Sequence, residues 1–231
     1  MGFSTVKNRC FVLFFCITGL FRVSAQEIIT AERYLEMVSE CYGSIRDYEA
    51  RIVVHSGSTE MFGNLSHLAP SFLRIDFTKP MEQVLAFNGE MLTVYLPEYR
   101  ATLNQSITPS RRNTGANLAT AQGLILLRRN YIPSFVTGPE PVPLEAGSDE
   151  MVVNLRLSRR SISEGFREII LSIDPATRLI RRIFGRTIAE VQVRFDFSDI
   201  KINQGIPEQR FIYDSPASAN NYNNFLFSDT D

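Results

Sequence analysis

The chain has 231 residues, 44% of them hydrophobic and 21% charged, the make-up of one globular domain or at most two small ones. Its formal net charge of −1 offers no electrostatic footprint for nucleic acid. Trp is absent, so the aromatic mass rests on 17 Phe and 8 Tyr.

Residues 1–25 read as a cleavable signal peptide, set apart from the fold. Lys7 and Arg9 form a positive n-region, residues 10–21 (CFVLFFCITGLF) an apolar h-region, and Val23-Ser24-Ala25 a small-residue cleavage site. The apolar run is shorter than the roughly 20 residues of a membrane span. A lipid-anchored precursor needs a small residue before the modified cysteine, but Arg9 precedes Cys10 and Phe15 precedes Cys16. Cleavage after Ala25 leaves residues 26–231 as one mildly acidic, exported domain, whose single thiol, Cys41, has no internal disulfide partner.

Along the exported chain, Ala31, Tyr34, Leu35, Val38, Cys41, Tyr42 and Ile45 recur at spacings of three and four. This predicts an amphipathic helix over residues 31–45, with Thr30 as N-cap and Gly43 near its end. Cys41 falls on the apolar stripe and reads as a small buried hydrophobe rather than a nucleophile. The period then switches to two. Tyr48, Ala50, Ile52 and Val54 alternate with Glu49, Arg51 and His55. Leu73, Ile75 and Phe77 alternate with Arg74, Asp76 and Thr78 until Pro80. Residues 84–87 lead into Asn88-Gly89, a strong hairpin signal, and residues 91–96 return antiparallel. That pairing puts Leu85, Leu92 and Val94 on one face. Residues 99–103 offer a further strand.

From 108 to 147 the β-pattern stops. Residues 116–129 (ANLATAQGLILLRR) read as a helix, with Arg128 and Arg129 at its negative C-terminal end, followed by a Pro-rich loop. Alternation resumes at Met151, Val153, Leu155 and Leu157, then at Ile169, Leu171 and Ile173, with a turn at Asp174-Pro175. Val191, Val193, Phe195 and Phe197 form the cleanest strand, and Phe211 and Tyr213 close the pattern. The polar tail from Ser215, with its NNYNN run, reads as loosely ordered. The resulting class is mainly β (α+β). Successive antiparallel strands with one apolar face must curl over a core or close into a barrel, and only two helices are available to cover that face.

Catalytic patterns are missing. His55, on a strand, and His67, expected in a loop, have no cysteine or paired carboxylates at metal-ligand spacing around them. No G-x-S-x-G elbow or phosphate-binding glycine pattern occurs. The reading is a non-enzymatic protein without metal or cofactor. The arginine doublets at 111–112, 128–129, 159–160 and 181–182 read as solvated surface, with a headgroup or partner patch as the alternative.

In residues 68–104, Pro70, an alternating strand, Pro80, the hydrophobic 84–87, Asn88-Gly89, Tyr95 and Pro97 follow in order. Together with the ILLRRN of 125–130 and FDFSDIKINQGIPEQRFIYDSP of 195–216, this resembles the LolA family of periplasmic outer-membrane lipoprotein carriers. The similarity covers most of residues 27–216 and rests on shared order and spacing. It implies a curved, unclosed antiparallel β-barrel with helices covering a hydrophobic cavity. It also implies a periplasmic, monomeric chaperone that takes acylated lipoproteins from an inner-membrane ABC-type release complex toward an outer-membrane acceptor. Strand parity and the family's lid helices then nominate Leu73, Ile75, Phe77, Leu85, Leu92, Val94, Leu35, Val38, Tyr42, Ile45, Leu126 and Leu127 as cavity residues; the alternative for each is plain core packing. The family's best-studied branch carries an arginine just before the proline matching Pro70. Ala69 stands there in this chain and Arg74 is the nearest basic residue on the strand, so the lid latch is expected to differ. A carrier of another lipid or glycolipid on the same fold, and a lipoprotein-sensing regulatory module, are the competing readings.

Overall fold

The computed structural model describes residues 1–2, 29–107 and 118–225. All but the first two residues of the expected signal peptide lie outside the described residues, as do Arg111 and Arg112. Helix α1 spans Ala31–Ser44, and the Thr30 hydroxyl accepts from the Arg33 amide at 3.2 Å, the N-cap foreseen in the sequence. The spacing of three and four gives α1 its buried face of Ala31, Tyr34, Leu35, Val38 and Tyr42. Gly43 lies inside the last turn, and the chain turns extended at Ile45.

Strands β1 (Asp47–Ser56), β2 (Thr59–Leu68), β3 (Phe72–Lys79), β4 (Val84–Phe87), β5 (Met91–Leu96) and β6 (Ala101–Ser106) form an antiparallel meander. Helix α2 (Ala121–Asn130) follows. Then come β7 (Tyr131–Phe135), β8 (Val142–Pro143), β9 (Met151–Arg159), β10 (Phe166–Ile173), β11 (Ile180–Thr187), β12 (Gln192–Ile202) and β13 (Asn220–Asn223). They make one sheet in the order β13-β6-β5-β4-β3-β2-β1-β12-β11-β10-β9-β7, with β8 beside β9. The long pairing of β1 with β12 joins the two halves at the centre, with Ile52 opposite Phe197 and Val54 opposite Phe195. The sheet curves without closing, since its edges β7 and β13 do not pair with each other. The expected fold class is therefore the observed one.

Several local expectations are corrected. His67 lies within β2 and is buried, because β2 was hidden: Gly63 and His67 occupy inward positions and interrupt the alternation. Gly63 is required there, since a Cβ would stand 2.8 Å from the Asp76 carbonyl oxygen where the β2–β3 register shifts. Residues 131–135, read as Pro-rich loop, form β7, which tolerates Pro133 because an edge strand leaves half its amides unpaired. The second helix begins at Ala121, where the Thr120 hydroxyl caps the Gly123 amide at 3.1 Å; residues 116 and 117 of the expected helix lie outside the described residues. Tyr99 sits in a turn rather than a strand.

Phe211 and Tyr213 form no strand either. Phe211 ends a short 3-10 turn (Glu208–Phe211) and is buried against Phe72, with ring centroids 5.5 Å apart. Tyr213 packs with Val84, Ala86 and Tyr95 on the convex face of the sheet. Arg74 secures this crossing. Its guanidinium donates to the Arg210 and Ile212 carbonyls at 3.0 and 3.3 Å, pairs with Asp76 at 2.8 Å and lies 5.5 Å from the Tyr213 ring centre. The segment then delivers Asn220–Asn223 as β13, parallel to β6, so that part of the tail is ordered. Arg74 thus holds the C-terminal segment on the outside of the sheet. The doublet Arg181-Arg182 is also not freely solvated: Arg181 pairs with Glu150, and Arg182 with Glu145 and Asp196.

The buried His67 ring stands 5.1 Å from the Tyr48 ring across the β1–β2 pair, and its Nδ1–H donates to the Phe72 carbonyl at 2.8 Å. Burial pushes the imidazole below its usual value, and the hydrogen bond opposes this only in part. The neutral ring is therefore favoured in the folded state. Its stabilising contribution is present above the unfolded value of about 6.5 and is lost as pH falls through the lower folded value. Denaturant melts are expected to show stability falling as pH drops below the unfolded value of about 6.5. His67→Asn, which keeps a donor toward Phe72 but does not titrate, is expected to flatten that decline; an unchanged slope refutes the assignment.

Candidate functional site

Alternation along each strand sends one set of side chains to the concave face, and the register aligns these sets between neighbours. Leu85 lies opposite Val94 and Ile75 opposite Leu85, while Gly63, an inward position, faces Phe77. Across the centre, Phe195 faces both Val54 and Ile183. Between these strands lies an apolar cavity of about 420 Å³, within the range of roughly 300–1,000 Å³ typical of small-molecule pockets. Its wall is drawn from β1, β2, β3, β4, β5, β10, β11 and β12, with Leu118 and Ala119 from the turn before α2.

The wall grades from buried to open. Tyr48, Ile52, Leu65, Ile75 and Ala119 at the inner end are buried, whereas Ser56, Met61, Gln83, Phe166 and Val193, beside the turns at the other end, are half-exposed. The polar groups are few. The Tyr48 hydroxyl is committed to the Ala119 carbonyl at 2.9 Å, which leaves the Ser56 hydroxyl and the Gln83 amide near the open end. Such a wall favours apolar matter and offers little to orient a polar substrate.

Of the twelve residues nominated from the sequence, Ile75, Phe77, Leu85 and Val94 line this cavity. The other eight do not. Leu73 is buried in the core beyond the cavity floor, and Leu92 packs half-buried against that core, opposite Phe87. Leu35, Val38, Tyr42, Ile45 and Leu127 are buried in the same core cluster, and Leu126 is half-buried on α2. The reason is where the helices sit. Helix α1 touches α2 and β7 and is tied to the β10–β11 turn: the Tyr42 hydroxyl accepts from the Ile180 amide at 3.0 Å, and Arg178 lies 5.0 Å from the Tyr34 ring centre. Arg128 of α2 bonds Glu36 of α1 at 2.9 Å. Cys41 is half-buried rather than buried: partial burial pushes its thiol up, and its Sγ faces the Thr177 carbonyl at 3.5 Å. The helices therefore seal the β7–β9–β10 side as solid core, where Leu155, Leu157, Ile169 and Leu171 have no exposed surface, and the cavity occupies the other half.

The wall residues that sequence reasoning missed are chiefly Met61, Leu65, Phe166 and Ile183, with the β1 and β12 pairs. Ile52, Val54, Val193, Phe195 and Phe197 all stood in recognised alternating runs, so extending the β1–β12 pairing by parity would have found them.

No family model matches the chain, and no curated protein matches it either. Solved structures do. An uncharacterised conserved protein from Thermus thermophilus superposes with a TM-score of 0.55 at 15% identity, covering 84% of this chain and 98% of that one. That likeness shows a shared fold. More distant are a LolA superfamily protein from Nitrosomonas europaea, with a TM-score of 0.41 at 15% identity over 80% of this chain and 98% of that one, and the lipoprotein LppX from Mycobacterium tuberculosis, with 0.48 at 9% over 77% and 97%. Among the described residues no helix is long and apolar enough to cross a membrane.

Gly185 sets the bore at the open end. A Cβ there would stand 2.7 Å from the Phe166 ring, which lies over the glycine and forms part of the wall. Gly185→Val is expected to displace that ring, with an overpacking loss of about 1–3 kcal/mol in denaturant melts and weakened uptake of an apolar fluorescent probe. Phe166→Ala added to it is expected to restore both. A pair of additive effects refutes the contact.

Proposed function

We propose that this chain is a periplasmic carrier that shelters acyl chains of lipoproteins leaving the inner membrane and delivers them toward the outer membrane. The observation that carries the reading is the apolar cavity of about 420 Å³, buried at one end and half-exposed at the other, on a curved sheet that does not close. Leaving water is worth about 0.8 kcal/mol per methylene, so a chain of about 15 carbons needs on the order of 12 kcal/mol of shelter to travel. Its partners are acylated lipoproteins, an ABC-type release complex in the inner membrane and an acceptor in the outer membrane. The carrier works as a monomer and by binding alone; the polar side chains at the open end of its wall are few, those of Ser56 and Gln83.

A second reading, a carrier of another lipid or glycolipid, draws on the cavity's wall: apolar save for Ser56 and Gln83 near its open end, it recognises an acyl chain and not the group that the chain is attached to.

Adding the purified protein to spheroplasts that carry an inner-membrane release complex tests the first reading. Inner-membrane lipoproteins are expected in the soluble fraction, bound to it and identifiable by mass spectrometry. Co-purified phospholipid or glycolipid without lipoprotein release transfers support to the second reading, and an absence of any bound lipid overturns both. Phe195→Glu puts a charge on a half-exposed position of the wall and is expected to weaken acyl-probe binding by about tenfold or more while leaving the fold intact by circular dichroism.

A further inference from the structure

The turns of the meander fall at two ends. The β1–β2, β3–β4, β5–β6, β9–β10 and β11–β12 turns lie at the end where the cavity wall is half-exposed; the β2–β3, β4–β5 and β10–β11 turns lie at the other. Four of the five turns at the cavity end hold out a large apolar side chain. Ile162 is 84% exposed, Met81 74%, Tyr99 69% and Ile188 59%, with Val191 at 46% beside it. The three opposite turns, built on Ala69-Pro70, Asn88-Gly89 and Asp174-Pro175, hold out less: Met91, which closes the Asn88-Gly89 turn, is 36% exposed, and Met151 and Ile202 on strand ends there are each 41% exposed. The most exposed apolar side chains carried by turns therefore gather at the cavity end.

We propose that these turn tips form a shallow docking rim that sets the cavity mouth against a phospholipid bilayer. The inference rests on the carrier reading above and says where its cargo enters. Three features favour lipid over a protein partner. The tips sit singly on separate turns, so they offer no groove, strand edge or helix face that a folded partner could match. Polar and basic residues flank the tips, Ile162 by Ser161 and Ser163, Ile188 by Thr187 and Tyr99 by Arg100, with Lys79, Arg160 and Arg186 a little behind; Glu82, Glu98, Glu164 and Glu190 on the same turns balance these bases, so the attraction of the rim is apolar rather than electrostatic. The rim also continues into an apolar wall through Phe77, Phe166 and Val193, so a chain passing from bilayer to cavity meets apolar surface throughout. Without that contact every methylene of the cargo would cross water before reaching the wall.

The absence of Trp makes a direct test available, since each introduced indole is the sole one. The protein purified from cells expressing the full chain, with Met81→Trp, Ile162→Trp or Ile188→Trp, is mixed with phosphatidylethanolamine–phosphatidylglycerol vesicles containing brominated lipid. Ile202→Trp at the far end and Ile212→Trp on the convex face are the controls. The expected result is a blue-shifted, bromine-quenched emission at the three rim positions and neither effect at the controls. Met81→Ser, Ile162→Ser and Ile188→Ser together are expected to weaken vesicle binding by about tenfold while leaving uptake of a soluble fluorescent fatty acid unchanged. Unquenched rim reporters, equal quenching at the controls, or full vesicle binding by the triple variant each overturn the rim. Fatty-acid uptake is read separately: uptake with unquenched rim reporters rejects the rim and leaves the carrier reading, whereas quenched rim reporters without uptake support the rim and reject that reading.

Discussion

A sheet with one apolar face has to cover that face, and this sheet has far more of it than its helices can reach. Among the described residues twelve strands follow one another from β13 to β7, and the helices set against them are α1, about 21 Å long, and the shorter α2. The helices are committed to one side by directional contacts rather than by greasiness alone. Tyr42 bonds the Ile180 amide, Arg178 stacks on Tyr34, and Glu36 joins α2 to α1. With the helices on β7, β9 and β10, the described residues that reach over the concave face of β1 to β5 and β12 are Leu118 and Ala119 of the turn before α2. The cavity is the part of the face that the two helices leave uncovered.

A remainder of this kind persists only if the frame cannot collapse into it, and the frame is held from outside. Asp47 is buried at the start of β1 and accepts from the Gln204 and Gly205 amides at 2.6 and 3.1 Å, while Asn203 accepts from the Arg46 amide at 2.9 Å; together they pin the end of β12 to the start of β1. A β-bulge opposite Glu49 and Arg51, with Asp199 at φ +50°, bends the central pair. On the convex face the crossing held by Arg74, Asp76 and Arg210 lays Phe211 and Tyr213 across β3, β4 and β5. The same segment ends as β13, whose asparagines cover the edge of β6 and give that side of the open sheet a polar edge.

Much of this was legible from residue order. The stripe of α1 and the alternation of β1, β3, β9, β10 and β12 are local patterns, and the Asn88-Gly89 turn does what its sequence suggests: the Asn88 side chain accepts from the Met91 amide at 2.8 Å and Gly89 takes φ +93°. The unread strands fail for identifiable reasons. In β2 a close backbone approach demands Gly63 and a buried hydrogen bond holds His67, both at apolar positions. In β11 the run is broken by Arg181, Arg182 and Gly185, two bound in ion pairs and one making room for Phe166. Strand β13 exists only because a distant edge receives it. The site divides the same way. Parity alone brought Ile75, Phe77, Leu85 and Val94 to the cavity, but parity says which face a residue takes and not what lies above it. Leu35, Val38 and Tyr42 face inward as well, onto core, because the position of α1 is fixed by contacts some 140 residues along the chain.

The gradient along the cavity also bears on how it could let go. At the inner end buried wall residues are tied to their surroundings, as in the bond from Tyr48 to Ala119 and the ring contact of Tyr48 with His67. At the outer end the wall is half-exposed before any ligand arrives, so its side chains give up part of their contact with water only on loading. Empty, that surface is hydrated and unfavourable; occupied, it becomes interior, and the folded state gains stability by the logarithm of ligand concentration over Kd. A deeper, fully enclosed pocket would gain more and release less. Phe166 over Gly185 stands where the two regimes meet, an aromatic ring packed directly on bare backbone.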